Sequence, residues 1–263
     1  MPGTPGGIAR KDVDMLRLRA IGIASFAAFA AVFALEGLAS ACGASPGGPV
    51  GHVMCGPDDA PLDHQFRGAL SYGYSNTRMS FGDGLKFDMN RHSVMATLDY
   101  RLSKTSAITF GGGGLLVGNL RNGANYQMTS GPALLFGYSL GFLKEQSAVP
   151  FGVLTLAGSF VHSQTRAEGG FFQNSVGYTA LDARAGVLFG KSFGEHLSVY
   201  ATGRLFGGPV FWKLNNESKV GTDLYHYQVG GGVIVRLVAG LALYGEGIAL
   251  GERGAVAGIS LTP

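Results

Sequence analysis

Residues Ser93–Leu102, with the sequence SVMATLDYRL, alternate between two kinds of side chain. Odd and even positions of an extended chain point to opposite faces. One face carries Val94, Ala96, Leu98, Tyr100 and Leu102. The other face carries Ser93, Thr97, Asp99 and Arg101. A period of two, with one apolar and one polar face, predicts a β-strand between two different environments.

The same pattern recurs along the chain from residue 65 to residue 263. In a later segment, Leu181, Ala185, Val187 and Phe189 oppose Asp182, Arg184 and Gly186. The predicted strands are 65–79, 91–103, 106–119, 128–143, 149–163, 175–190, 196–207, 224–238, 240–250 and 254–262. No long window shows the helical period of about 3.6 residues. The sequence therefore predicts an all-β fold of about ten antiparallel strands, within a range of about eight to twelve.

The connections between these strands differ in length. One set is short, at 104–106, 144–148, 190–195 and 238–240. The other set is longer and more polar, at 80–90, 120–127, 164–174 and 208–223, with 251–254 as a short exception. Short turns at one end and longer loops at the other are typical of a transmembrane up-and-down β-barrel.

Charged residues within the strands are mostly arginines, whereas all seven lysines fall in the leader, loops or turns. An Arg or Lys on the lipid side of a barrel costs about 2 to 4 kcal/mol near the midplane. We therefore expect the strand charges to line the lumen: Arg67, Asp99, Arg101, Asp182, Arg184, Arg204, Arg236 and Glu246. Five bases against three acids predict a mildly cationic lumen. Two interpretations stay open, a narrow pore for small polar solutes or a lumen filled and plugged by ion pairs.

Aromatic residues cluster where strands meet connections, as in the interfacial girdles of membrane barrels. The long-loop end has Tyr72, Tyr74, Tyr126, Phe211, Trp212, Tyr225 and Tyr227. The short-turn end has Phe66, Tyr100, Phe142, Phe151, Phe189 and Phe193. The alternative is the aromatic core of a secreted β-sandwich adhesin, whose polar face would usually carry Lys and Glu.

The stretch Thr109–Gly118, TFGGGGLLVG, contains five of the 44 glycines of the chain, and four of them are consecutive. It lacks the Lys and Ser or Thr of a phosphate-binding loop and the glycine spacing of a dinucleotide site. Glycines inside a strand more often mark bends or close backbone approach. The stretch therefore predicts a curved part of the barrel wall, and no cofactor.

The first 41 residues differ from the rest. An apolar run from Ala20 to Leu35 ends in the small residues Ala39-Ser40-Ala41. This pattern predicts a cleaved signal peptide over 1–41, with Met1 or Met15 as its start. Residues 42–64 are rich in Pro and Gly and predict an irregular segment before the barrel.

The two cysteines, Cys42 and Cys55, follow the signal segment closely. In an exported protein they are predicted to form a disulfide. The alternative is that Cys42 carries a lipid anchor.

Several functional classes lack support in the sequence. The net charge of +3 is small and evenly spread, and no RNA-binding signature or zinc-ligand spacing is present, so neither nucleic acid nor a metal is predicted.

Candidate catalytic pairs also fit poorly. Asp223 and His226, like Asp83 and Asp88, have odd spacings that place them on opposite faces of a regular strand. His162 and Ser163 are adjacent and diverge for the same reason. A barrel-embedded hydrolase stays only as an alternative.

Taken together, the signal segment, alternating strands, loop asymmetry and aromatic belts over residues 65–263 resemble the small outer-membrane β-barrels of Gram-negative bacteria. The resemblance implies location in the outer membrane and contact with its lipid and lipopolysaccharide. It also implies insertion by the barrel-assembly machinery, although the chain ends in ISLTP and lacks the usual terminal aromatic residue. The long loops, including Phe171 and Phe172, are candidate contacts for a surface ligand.

Overall fold

A computed structural model describes residues 43–47, 50–54 and 66–263, without residues 83, 168–174, 215–216 and 239. In the first two ranges only the backbone is described. None of the described residues forms a helix that is long and apolar enough to cross a membrane.

The described residues form fifteen strands, all paired in antiparallel fashion. A short hairpin comes first, with β1 (Gly43–Gly47) and β2 (Val50–Met54). The main sheet contains β3 (Phe66–Phe81), β4 (Lys86–Arg101), β5 (Ser106–Asn122), β6 (Ala124–Met128), β7 (Gly131–Leu143), β8 (Phe151–Ala167), β9 (Val176–Phe193), β10 (Leu197–Gly207), β11 (Val210–Leu214), β12 (Glu217–Asp223), β13 (Tyr227–Arg236), β14 (Leu241–Gly251) and β15 (Arg253–Leu261).

Ten of these strands close into a ring, in the order β3, β4, β5, β7, β8, β9, β10, β13, β14 and β15. The ring closes where β15 pairs with β3, for example Ile259 with Leu70. Every neighbour in the ring is also a neighbour in sequence, apart from this closing pair and the excursions of β6, β11 and β12. The predicted up-and-down barrel of about ten strands is confirmed.

The outer wall of the ring is apolar. Along β3 the outward positions run from Phe66 through Gly68, Leu70 and Tyr72 to Tyr74, and the first outward amide is Asn76. The stretch from Phe66 to Tyr74 rises roughly 20 to 25 Å along the barrel axis at a strand tilt near 40°, close to the height of the apolar band of a membrane barrel. Phe110, Phe136 and Leu156 project from the wall with 52%, 52% and 56% of their surface exposed.

A second, smaller ring continues the wall beyond Asn76, and we call it the head. It contains the outer ends of β3, β4, β5, β8 and β9, together with β6, β11 and β12. The hairpin β11–β12 bridges β9 to β3, above the four strands β10, β13, β14 and β15. The sheet thereby narrows from ten strands to eight.

The polarity of the strands inverts where the head begins. Within the ring, β3 turns polar residues such as Arg67 and Ser71 inward, whereas in the head it turns Met79 and Phe81 inward and Arg78 outward. The neighbouring β4 behaves in the same way, with Phe87 and Met89 buried. The alternation of apolar and polar faces thus changes from that of a membrane wall to that of a water-soluble barrel.

The interior of the head is a packed apolar cluster around Trp212, which is 1% exposed. The ring of Trp212 stacks edge-on against Phe87 and Tyr126, with both centroid distances 5.0 Å. Its indole Nε1 donates a hydrogen bond of 2.7 Å to Thr165 Oγ1. The remaining members are Met79, Phe81, Met89, Leu115, Leu120, Met128, Tyr178, Ala180 and Val210.

Three of the aromatic residues predicted for the outer belts therefore belong to interior clusters instead. Trp212 is inside the head, Tyr126 packs against it, and Phe151 belongs to a buried cluster within the ring. Others project outward as predicted, among them Phe66, Phe189 and Phe193. The position of an aromatic residue in the sequence gives its height along the barrel. Whether its side chain faces outward or inward depends on whether it occupies an odd or an even position of the strand.

The loops predicted at the head end are largely strand. Strands β3 and β4 are joined across residues 82–85, and β5 and β6 turn at Gly123, whose φ of 67° favours glycine. Residues 208–223, predicted as a loop, contain the hairpin β11–β12. For 80–90, 120–127 and 208–223 the prediction of long loops was wrong, because polar outward residues and apolar inward residues also alternate in a strand exposed to water. Most of the predicted loop 164–174 lies outside the described residues.

The hairpin β1–β2 pairs Gly43 with Met54 at its open end. Cys42 and Cys55 are the next residues outward in sequence, and both lie outside the described residues, as do the signal segment and the loop pair Phe171 and Phe172. The predicted disulfide stays a prediction.

The four consecutive glycines lie in β5, in the middle of the wall, and differ in their surroundings. A Cβ on Gly113 would lie 2.1 Å from the carbonyl oxygen of Val94 and 2.8 Å from the Cα of Met95. A Cβ on Gly112 would meet nothing within 4 Å. The close approach of β4 and β5 therefore depends on Gly113.

We predict that Gly113→Ala destabilises the barrel by about 1 to 3 kcal/mol, because backbone atoms must move to admit the methyl group. Gly112→Ala is the matched control and is expected to leave stability unchanged. The urea midpoint of the folded gel band measures both variants. Equal midpoints for the two variants would contradict this account of Gly113.

Candidate functional site

The lumen of the ring is the candidate site, because the inward face carries the charges predicted from the sequence. Arg67, Asp99, Arg101, Arg204 and Glu246 are each 9% exposed or less. The other three predicted residues, Asp182, Arg184 and Arg236, are half-buried on the same face. Their contacts form three groups at different heights.

The group nearest the short turns contains Arg67 and Asp99. Nε of Arg67 donates a hydrogen bond of 2.8 Å to Asp99 Oδ2, and Nη2 contacts the same oxygen. Thr109 donates to Asp99 Oδ1 at 2.5 Å. Arg101 lies at the same end of β4, and Arg236 donates to Ser198 Oγ at 3.1 Å.

The middle group contains Arg204 and Glu246. Two guanidinium nitrogens of Arg204 bind the two carboxylate oxygens of Glu246 at 2.6 and 2.8 Å. Tyr200 donates a third bond, of 3.0 Å, to Glu246 Oε2. A bidentate pair with further donors is the arrangement that compensates buried charge best.

The third group lies directly beneath the head and is larger than predicted. Arg184 contacts Asp182 and donates to Glu252 Oε2 at 3.4 Å. Arg91 donates to Glu252 Oε1 at 3.4 Å. Gln228 donates to Glu252 Oε2 at 2.5 Å. Glu252, only 1% exposed, therefore joins two arginines and an amide.

Sequence reasoning missed Arg91, Asp223 and Glu252. Arg91 begins a predicted strand, and Glu252 and Asp223 were assigned to connections, so none was considered as an inward residue. Adding them to the predicted set gives six basic and five acidic residues. The charge of the inward face is therefore more nearly balanced than the sequence predicts.

A small cavity separates the third group from the wall. Its volume is about 40 Å³, enough for a few water molecules. Its polar lining is Arg91, Ser93, Ser159, Asp182 and Arg184, and its apolar lining includes Leu115. Ser93 Oγ and Asp182 Oδ1 have no hydrogen-bond partner among the described residues.

Apolar side chains fill much of the remaining ring interior. Phe151, Leu188, Ile234 and Tyr244 are each 5% exposed or less and pack into one cluster with Val153, Tyr200, Ala242, Ile248 and Val256. The inward face therefore alternates ion-paired groups with apolar packing.

The candidate catalytic pairs do not converge. Asp223 accepts a hydrogen bond of 2.8 Å from Thr77 on the inward face, whereas His226 lies beside Gly207 on the outer surface. His162 points outward to Thr179, and Ser163 donates to the carbonyl oxygen of Thr129 at 2.6 Å. Asp83 is outside the described residues. Its proposed partner Asp88 forms an exposed ion pair with Arg78 at 2.6 Å.

Among the described residues, no group of three or more His, Cys, Asp or Glu side chains has the geometry to hold a metal ion.

A closed antiparallel ring with an apolar outer wall and a polar, ion-paired interior defines a transmembrane β-barrel of the outer-membrane type. Localisation in the bacterial outer membrane, predicted from the sequence, agrees with this class.

No protein-family model matches the sequence, and no curated protein matches it. Among solved structures, the chain is similar to the outer membrane protease OmpT from Escherichia coli, at 12% identity and a TM-score of 0.47, over 76% of this chain and 97% of that one. It is also similar to the translocator domain of the autotransporter NalP from Neisseria meningitidis, at 11% identity and a TM-score of 0.49, over 76% and 90% of the two chains. A third is the β domain of the Bordetella autotransporter BrkA, at 12% identity and a TM-score of 0.47, over 75% and 99%. These are likenesses of fold alone.

Asp223, at the end of β12, is a carboxyl group of the head with a raised pKa. Burial, together with the nearby Glu252 carboxylate, raises the pKa of Asp223 to about 6, while Arg91 acts in the opposite direction. The unfolded pKa of Asp is near 3.9. Because the folded pKa is the higher one, the stabilising effect is complete below about pH 4 and is lost as the pH rises through about 6.

We predict that the head is less stable at pH 7.5 than at pH 5 by about 1 to 2 kcal/mol, after allowance for the partial exposure of Asp223. Asp223→Asn should remove this difference and stabilise the head at pH 7.5. Trp212 is the single tryptophan of the chain, so its fluorescence during urea unfolding measures the head directly. Asp88→Asn is the exposed control, and a pH dependence that survives Asp223→Asn would contradict the assignment.

Proposed function

We propose that this chain is an integral outer-membrane barrel with a closed lumen, and that it presents the head as a rigid platform at the cell surface. The proposal is carried by the apolar cluster around Trp212, which occupies the interior of the head. A solute crossing the barrel would have to pass this cluster and then the paired charges beneath it.

The energetics of the inward charges support a closed lumen. Arg204 and Glu246 are 6% and 4% exposed, and each satisfies the other through two hydrogen bonds. Opening a water-filled path between them would break contacts that offset the desolvation of both ions. A pore with an anion preference would instead need guanidinium groups that face water.

The head supports the surface role. Five of its eight strands continue directly from the ring, so their direction is set by the barrel. Its outward face carries polar residues such as Arg78, Lys86 and Arg121, which suit water rather than lipid. In this proposal the surrounding lipid and lipopolysaccharide are the permanent partners. The barrel-assembly machinery acts during insertion, and any surface ligand binds at the turns of the head.

The membrane placement predicts that the protein stays in the membrane pellet after a high-pH carbonate wash. The folded form should also migrate differently from the boiled form on a gel, because a closed barrel resists the detergent. A secreted sandwich adhesin would be released by the wash and would show no such shift.

The closed lumen predicts that the folded wild type shows no steady conductance in a planar bilayer. We expect the double variants Phe87→Ala/Trp212→Ala and Arg204→Ala/Glu246→Ala to conduct little, since each leaves one barrier in place. The fourfold variant weakens both barriers at once and should therefore conduct more than either double variant.

The control for these variants is Leu205→Ala, because the Leu205 side chain is 67% exposed on the outer wall, on the opposite face of the strand from Arg204. A wild type that conducts steadily would overturn the closed lumen and favour the narrow pore. A fourfold variant that folds and stays silent would show that these two barriers do not account for closure.

A further inference from the structure

One cross-strand row of the wall is composed entirely of amides and arginines. Starting from β15, Arg253 pairs with Asn76 of β3, which pairs with Asn90 of β4. Asn90 pairs with Asn119 of β5, and Asn119 pairs with Gln127 of β6. Gln127 in turn pairs with Arg166 of β8. We call these six residues the amide row.

All six side chains point outward. The residues on either side of Asn76 in the chain, Ser75 and Thr77, are buried inside the barrel, whereas Asn76 itself is exposed. Arg253, Gln127 and Arg166 are exposed in the same way. Six adjacent strands at a spacing of about 4.8 Å give the row a length of roughly 24 Å around the barrel.

The amide row marks the upper edge of the apolar band. One row below it are Tyr74 and His92, whose rings lie 5.0 Å apart, and beneath them the wall is apolar. In the proposed membrane placement, on which this inference rests, the row therefore faces the headgroups of the outer leaflet.

Asparagine is an unusual choice for these positions, because it is depleted in β-strands. A ladder of amide–amide bonds would offset that cost, and one such bond exists, from Asn119 Nδ2 to Asn90 Oδ1 at 3.3 Å. The side-chain amide of Asn76 makes no hydrogen bond among the described residues. Stabilisation of the strands by a continuous ladder therefore does not explain the row.

The charge on this surface is positive. The guanidinium groups of Arg166 and Arg253 form no ion pair within the described part of the chain. In the next row outward, Arg78 and Arg121 flank the single acid Asp88. An anionic group near the row would meet several arginines and one carboxylate that is already paired with Arg78.

The chemistry of the row fits one kind of ligand. Primary amides both donate and accept hydrogen bonds, as the hydroxyl groups of sugars require. Arginine binds phosphate through parallel N–H donors. We propose that the amide row binds the phosphorylated sugar headgroup of an outer-leaflet glycolipid, with amides on the sugar and arginines on the phosphate.

The experiment measures lipid binding to the folded protein in detergent by native mass spectrometry. The probes are a short-chain lipopolysaccharide, the same lipid after removal of its phosphates, and phosphatidylglycerol. We expect the wild type to prefer the intact glycolipid to phosphatidylglycerol. Arg166→Ala/Arg253→Ala should weaken binding of the intact lipid about tenfold, since two exposed charged contacts are lost.

A second variant separates sugar recognition from charge. Asn76→Ala/Asn119→Ala should weaken binding of both the intact and the dephosphorylated lipid, because the amides contact sugar in either case. The matched control, Lys86→Ala/Lys213→Ala, removes the same two charges from outward positions outside the row and should bind as the wild type does.

Two results would overturn the proposal. Equal weakening by the arginine and lysine variants would mean that only net charge matters, and equal binding of phosphatidylglycerol would mean that sugar is not recognised. Each sample is first tested for the heat-dependent gel shift. A protein that lacks the shift contradicts the membrane barrel itself, whereas a folded barrel with no glycolipid preference contradicts only the amide row.

Discussion

Closure of the backbone hydrogen bonds around the barrel is the constraint on which the rest of the structure depends. Lipid offers no partner to a free N–H or C=O group, so a sheet that crosses a membrane must have no edge. The pairing of β15 with β3 meets this requirement for the ten-strand ring. Once the ring is closed, alternate residues of each strand face either the lipid or the interior. The arginines and carboxylates must then lie inside, where they can compensate one another.

The head is also a closed sheet, but its outer face is suited to water instead of lipid. In the proposed placement the outer face above Asn76 meets water, so an outward charge is no longer costly, whereas an unfilled interior would lose apolar packing. Five strands continue without a break, yet their inward residues change from polar to apolar. The ring interior balances ions against apolar packing, and the head interior needs only apolar packing around Trp212. One backbone architecture thus contains two kinds of core.

The sequence predicted the ring well and the head poorly, for physical reasons. Alternation around Asp99 and Leu98 reports the side of the wall directly, since Asp99 is buried and Leu98 is exposed. Alternation around Phe87 and Asp88 has the opposite sense, and so residues 80–90 are predicted as a loop. The group around Glu252 could not be predicted, because it forms where the ring narrows and residues from distant connections meet. The amide row could not be predicted either, since it depends on the register between six strands.

Strand β3 has two different partners on the same side. Its first part pairs with β15, whereas its outer end pairs with β12. Because β12 precedes β13, β14 and β15 in the chain, the two seams cannot be equivalent during biogenesis. The β12–β3 seam needs no residue beyond 223, whereas the β15–β3 seam needs the last strand of the chain. Closure of the head and closure of the ring are therefore topologically separate events, although both use strand β3.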